Sequence, residues 1–233
     1  MSKKKQKEKK TQQQFENLEE SLSRSELFIA EHQKLLTIIV IILVAIVLGF
    51  FGVKKYYLQP KEKMAQEQIY PAQQYFQAGS LDKALYGDGN SLGFVDIAKN
   101  YSITKAGNLA DYYAGICFLK KGNFNNAIKY LKKFDCDDEV VGPMAKGALG
   151  DAYLSKGDKS KAVSYYLEAA NLKDNDFTTP MFLLKAGEVD EMMGNYDDAI
   201  AAYKRIQQDY FKSQEAKNIE KYIARAQELK KNK

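Results

Sequence analysis

Tryptophan is absent from the 233-residue chain, histidine occurs once at His32, and there are two cysteines and four prolines. Each scarcity removes a class of function. With His32 set beside an apolar run, the rest of the chain cannot form a Ser–His–Asp or Cys–His arrangement or a His-Glu-x-x-His zinc helix. A non-enzymatic protein without a cofactor is expected. Few prolines and only 15 glycines exclude a low-complexity chain. A mean hydropathy of −0.46 excludes a polytopic membrane protein. The 35 Lys and Arg against 30 Asp and Glu leave a formal charge of +5. That excess is too small to imply nucleic acid, and the Lys-rich start lacks the interleaved aromatics that stack on bases.

One long hydrophobic run is present. LLTIIVIILVAIVLGFFGV, residues 35–53, contains no charged group and a single hydroxyl, Thr37. At ~1.5 Å per residue it spans roughly 28 Å, close to the ~30 Å hydrocarbon core. Lys54, Lys55, Tyr56 and Tyr57 follow at once and suit a headgroup interface. A buried core helix would show a polar face, and a signal peptide would have a shorter apolar stretch and an Ala-x-Ala site. A retained transmembrane helix is expected. Ahead of it, residues 1–34 form a Lys-rich tail whose sparse Phe15, Leu18, Leu22 and Ile29 fall at helical steps. Orientation is balanced between two arguments. Cations close to the span favour the far side, but a short Lys-rich tail is hard to move across. The expectation is an N-terminus inside, with the reverse topology open.

After the span no window alternates as a strand does; the period is helical and it recurs. ADYYAGICFLKKGNFNNAIKYLKKF, AKGALGDAYLSKGDKSKAVSYYLEA and LLKAGEVDEMMGNYDDAIAAYKRI share a Gly, a second Gly seven residues on, and an Ala five further. The trios are Gly115, Gly122, Ala127; Gly150, Gly157, Ala162; and Gly187, Gly194, Ala199, with spacings of 35 and 37 residues. A weaker copy carries Gly79 and Ala84. The second Gly ends a helix in the left-handed region, and the Asn, Asp or Ser beside it starts the next. The first Gly and the Ala let antiparallel helices approach closely, while Phe118, Phe124, Leu131, Tyr153, Tyr166, Tyr196 and Tyr203 fill the remaining space. The stretch GDGNSLG at 87–93 reads as a break in a helix.

This pattern resembles the tetratricopeptide repeat (TPR), although the usual Trp is absent and Pro143 and Pro180 stand at the openings of hairpins. The fold class expected is all-α: one transmembrane helix, then a TPR-like α-solenoid closed by a capping helix. The boundaries expected are a linker at 54–63, a degenerate opening unit at 64–107, repeats at 108–142, 143–179 and 180–212, and a capping helix with a basic tail at 213–233. The resemblance implies that the first helix of each hairpin lines a concave face. The partner-binding candidates are Leu109, Tyr112, Ile116 and Leu119; then Met144, Asp151 and Ser155; then Met181, Leu184, Glu188 and Met192. Their apolar, Tyr- and Met-rich character suits varied polypeptide segments. The clamp some members use for a C-terminal carboxylate is not matched, since Tyr112, Ile116 and Ala148 stand where cations or Asn are needed.

As a whole the layout resembles single-span TPR proteins of the bacterial envelope, especially YfgM-like ancillary subunits of the SecYEG translocon. The resemblance implies an inner-membrane anchor, periplasmic repeats and a chaperone-like role on emerging secreted precursors. Cys117 is expected as a small core residue and Cys136 in a turn, with pairing between them left open. The carboxylates of Asp135, Asp137, Asp138 and Glu139 lack the spacing of an EF-hand and read as a solvated turn.

Overall fold

A computed structural model describes residues 32–232, which are helix and loop with no strand. The Lys-rich tail with Phe15, Leu18, Leu22 and Ile29 lies outside the described residues. The chain divides into two units, Met1–Gln59 and Pro60–Lys233.

The first unit contains the apolar stretch of the helix His32–Gln77, with mean hydropathy 3.1 over its most apolar window and none of that window buried. We label residues 32–53 α1; a π-helical stretch, Lys54–Leu58, follows, and the α-helical continuation Gln59–Gln77 is α2. Leu35 through Val53 turn large side chains outward on every side. A core helix of a soluble protein would have a buried face, so this helix is of the kind that is long and apolar enough to cross a membrane. Its one hydroxyl, Thr37 Oγ1, donates to Gln33 O one turn back at 2.7 Å, leaving no polar hydrogen dangling.

The second unit continues with α3 (Leu81–Tyr86), α4 (Phe94–Asn100), α5 (Lys105–Lys120), α6 (Phe124–Leu131), α7 (Val141–Ser155), α8 (Lys159–Leu172), α9 (Thr178–Met193), α10 (Tyr196–Asp209), a 3-10 turn (Glu215–Asn218) and α11 (Ile219–Lys231). Helices α5 and α6, α7 and α8, and α9 and α10 form hairpins. Each second helix also packs on the first helix of the next hairpin, and first helices touch one another. Consecutive packing of this kind builds a solenoid.

The hairpin turn is the same closed device each time. At its middle copy Gly157 takes φ +85°, its N–H donates to Leu154 O at 2.9 Å, and Asp158 N–H donates to Tyr153 O at 2.9 Å. This is a Schellman C-cap, which needs a residue with no Cβ penalty at positive φ. Gly79, Gly122 and Gly194 close their helices with the same pair of bonds. The residue after the glycine then caps the next helix in two cases. Asn123 accepts from Asn126 N at 3.3 Å, and Asp158 accepts from Lys161 N at 3.1 Å. Asn195 and Ser80, expected to do likewise, make no side-chain cap; Asn195 turns its amide to Asp190 instead, at 3.4 Å.

The first glycine of each trio is a point of close approach. A Cβ on Gly115 would lie 2.5 Å from Leu131 Cγ, one on Gly150 2.4 Å from Tyr166 Cε1, and one on Gly187 2.4 Å from Tyr203 Cε1. Ala127, Ala162 and Ala199 are fully buried at the facing position. Two large clusters carry the core. One joins α2 to α6 through Ile69, Leu85, Phe94, Ile97 and Phe118; the other joins α7 to α11 through Tyr166, Phe182, Leu183, Tyr203 and Ile206.

The opening unit departs from a plain hairpin. Residues 87–93 separate two short helices, α3 and α4. Asp88 organises the connection: its carboxylate accepts from Tyr75 OH at 2.8 Å, Ser91 N at 2.8 Å and Asn90 N at 3.0 Å. These bonds, Tyr75 first, hold the carboxyl below the usual carboxylate range. The closing segment also differs from one unbroken helix over 213–229. Ser213 Oγ accepts from Ala216 N at 3.1 Å, a 3-10 turn follows, and the α-helix begins at Ile219.

Candidate protein-binding surface

The first helices of the three hairpins, α5, α7 and α9, carry all eleven residues singled out from the sequence. Their neighbours follow from the tyrosine that sits over each glycine. In the second and third hairpins the residue 16 after the first Gly is Tyr166 or Tyr203, and in the first it is Leu131. A tyrosine there needs an acceptor. Tyr166 OH donates to Asp151 at 2.6 Å and Tyr203 OH donates to Glu191 at 2.8 Å. Burial, and then these carboxylates, push both phenols well above the ordinary range, so they stay protonated donors. Where leucine replaces tyrosine, Ile116 occupies the position of Asp151, and the pair is apolar.

Each acceptor also ties one repeat to the next. Asp151 takes Lys185 Nζ of α9 at 2.7 Å. Glu191 takes the Arg225 guanidinium of α11 through Nε at 2.9 Å and Nη2 at 3.0 Å, and that guanidinium lies 4.8 Å over the Tyr222 ring. Bidentate pairing and stacking fix the register between α9 and α11. Lys185, Glu191 and Arg225 were not singled out from the sequence, and Tyr166 and Tyr203 were expected only to fill space between helices. Asp151 lies one residue after its glycine and Glu191 four after its own, so no single repeat position marks the acceptor.

The remaining candidates separate by packing. Tyr112, Ile116 and Leu119 come together around Leu131, Ala148 and Leu149, between the first and second hairpins. Leu109 packs on the α2–α6 cluster, while Met144, Met181 and Leu184 pack on the α7–α11 cluster. All seven keep part of their surface open, as does Glu188. Ser155 and Met192 are exposed at the ends of α7 and α9, and Met192 is 60% exposed. The row is therefore a half-buried apolar band, with Asp151 bonded to Tyr166 and Lys185 and with a flexible methionine at one end.

Chemistry elsewhere is sparse. Cys117 and Cys136 are both free thiols. Cys117 is fully buried, and desolvation pushes its thiol up to about 12, far from a thiolate. Among the described residues no group of three or more His, Cys, Asp or Glu is placed to hold a metal ion. Asp138 instead caps α7, accepting from Val140 N and Val141 N at 2.8 Å each. One buried carboxyl stands out. Asp111 is 6% exposed, its Oδ1 has no hydrogen-bond partner, and burial raises it to about 6 against the opposing pull of Lys133.

Tandem helical hairpins with a glycine-capped turn, a small residue at each crossing and first helices in contact decide the class of the repeat. Tetratricopeptide-repeat family models match residues 109–134, 145–176 and 182–213. The chain carries tetratricopeptide repeats. No curated protein matches it. TPRs build protein–protein interaction modules, typically without catalytic activity of their own, so this chain's repeats imply a protein partner. The three matched stretches overlap the three hairpins α5–α6, α7–α8 and α9–α10, each beginning inside the first helix and ending just past the second.

Proposed function

We propose that the chain is a membrane-anchored TPR module that binds polypeptide along its inner helices. The observation that carries this is the half-buried apolar band, Leu109, Tyr112, Ile116, Leu119, Met144, Met181 and Leu184, ending at exposed Met192. Apolar side chains left partly open on a repeat scaffold are what an apolar segment of a partner covers. In this reading α1 spans the bacterial inner membrane, the N-terminus is cytoplasmic and the repeats are periplasmic. The layout's resemblance to YfgM-like proteins supplies the rest: association with the SecYEG translocon and a chaperone-like role on secreted precursors. The anchor raises the module's effective concentration at the exit site, so modest affinity per segment suffices.

The test is co-purification of the full chain from solubilised membranes. Translocon subunits and secreted precursors in the eluate support the reading, and an eluate without either removes it. Protease added to spheroplasts tests the topology, because repeats that survive until the membrane is lysed would be cytosolic. A second reading, a structural adaptor with one fixed folded partner, is favoured by the Asp151–Lys185 and Glu191–Arg225 pairs, which hold the inner face in one shape. A single stoichiometric partner released by salt distinguishes it.

A further inference from the structure

The loops that lead from one repeat into the next lie in a row, each latched to its neighbour. At the start of α2, Glu62 Oε2 accepts from Lys105 N at 2.6 Å. Asn108 and Asp135 exchange two bonds: Asn108 Nδ2 donates to Asp135 O at 2.7 Å, and Asp135 N donates to Asn108 Oδ1 at 3.0 Å. Asn175 Nδ2 donates to Glu139 O at 3.0 Å, and Lys173 pairs with Asp137 at 2.6 Å. Tyr210 OH donates to Asp174. Each loop in this row holds one large apolar side chain in solvent: Ile103 at 54%, Val140 at 40%, Phe177 at 62% and Phe211 at 67% exposure. They recur with the period of the repeats, which is not what scattered surface hydrophobes do.

The charge around the row is uneven. Near Val140 and Phe177 the exposed Asp135, Asp137, Asp138, Glu139, Asp174 and Asp176 outnumber Lys132, Lys133 and the half-buried Lys173, whereas at the end of the row Lys212 Nζ lies 5.5 Å over the Phe211 ring. Spacing narrows the occupant further. The first helices of successive hairpins touch, which sets neighbouring rungs roughly 8–10 Å apart. A polyproline-II chain turns once in three residues and advances about 9 Å in doing so. Every third side chain of such a segment is then in step with the next rung, and cationic residues among the others complement the acidic centre of the row.

We propose that this loop edge is a second docking surface, distinct from the inner helices, for an extended polypeptide with apolar side chains at every third position and Lys or Arg between them. A lipid surface matches it less well, because the acidic centre is repelled by anionic headgroups.

The test uses the full chain in zwitterionic detergent and two fluorescein-labelled synthetic peptides, Leu-Lys-Pro repeats and Leu-Glu-Pro repeats, with anisotropy as readout. The lysine peptide is expected to bind, to weaken with added salt, and to lose at least tenfold in affinity when Phe177→Ser and Phe211→Ser are combined. Both side chains are exposed, so circular dichroism should show unchanged helix content. Met192→Ser on the inner face should leave this binding unaltered. No binding, equal binding by the double variant, or preference for the glutamate peptide overturns the proposal. Loss in Met192→Ser alone also overturns it, while leaving the inner-face reading standing. A bimane at Phe211→Cys in a Cys136→Ser background, in phosphatidylcholine nanodiscs, tests lipid as occupant. Quenching by nitroxide lipids as strong as at Phe50→Cys would assign the edge to the bilayer and overturn the proposal.

Discussion

Replacing Gly150 by alanine sets helix propensity against packing, and the two predict opposite signs. In an open helix interior Gly→Ala stabilises by about 0.8–1 kcal/mol. Here an added Cβ would lie 2.4 Å from Tyr166 Cε1, 2.5 Å from Cδ1 and 3.0 Å from Cζ. The ring has little room to give way. Tyr166 is 1% exposed, stacks on Phe182 with centroids 6.4 Å apart, and donates to Asp151 at 2.6 Å. Overpacking of this kind costs about 1–3 kcal/mol, and a hydrogen bond to a charged group is worth ~1.5–3 kcal/mol if the ring is displaced from it. With the propensity gain subtracted, Gly150→Ala is destabilising by roughly 2 kcal/mol. For a domain of this size that lowers Tm by about 4–8 °C. Far-UV circular dichroism of the full chain in detergent reads the shift. In a Tyr166→Val background the same alanine should cost much less, because the ring that it strikes is gone. A rise in Tm for Gly150→Ala alone would refute the close-approach account of the first glycine.

Three further outcomes are expected. Asp111 has a folded-state pKa raised to about 6, so its ionisation works against the fold and this group's effect on stability worsens as pH rises from about 4 through 6. Asp111→Asn should therefore raise Tm more at pH 7.5 than at pH 4.5, and a gain independent of pH would contradict this. Arg225→Met should destabilise by about 1–3 kcal/mol, since it removes both bonds to a Glu191 side chain that is 9% exposed. Lys185→Met should cost only ~0.2–1 kcal/mol, because both side chains of its pair with Asp151 are 37% exposed; equal costs in urea titrations would contradict the difference. In maleimide labelling followed by mass spectrometry, Cys136 should react in the native protein and Cys117 only on unfolding, as its full burial and raised thiol require.

The hairpins were legible because their determinants are local. A Schellman turn needs glycine at one position, and the tight crossing needs a small residue seven before it. Both constraints act within a single repeat and recur in three. The apolar helix was equally plain, since length and lack of charge are sequence properties. The surface was less legible. Whether Ile116 or Leu119 faces a groove or packs on Leu149 of the following hairpin depends on how the hairpins stack, which no residue spacing within one repeat encodes. Asp151 looked like a groove carboxylate, yet its partners are Tyr166 in its own hairpin and Lys185 in the next. The loop row of Ile103, Val140, Phe177 and Phe211 went unseen for a different reason. Alignment on glycine and alanine weighs the hairpin turns, and the loops between repeats differ in length. In the capping segment, helical periodicity could not tell the 3-10 turn Glu215–Asn218 from the α-helix that follows.

The central claim is that partly open apolar side chains on the inner helices hold polypeptide. A photo-crosslinker at Met192, 60% exposed, tests it most directly when compared with one at exposed Lys129 on an outer helix. In cells synthesising a secreted precursor, adducts with the precursor at Met192 and not at Lys129 are the result the account predicts. Equal yields at both positions, or adducts at neither, would contradict it.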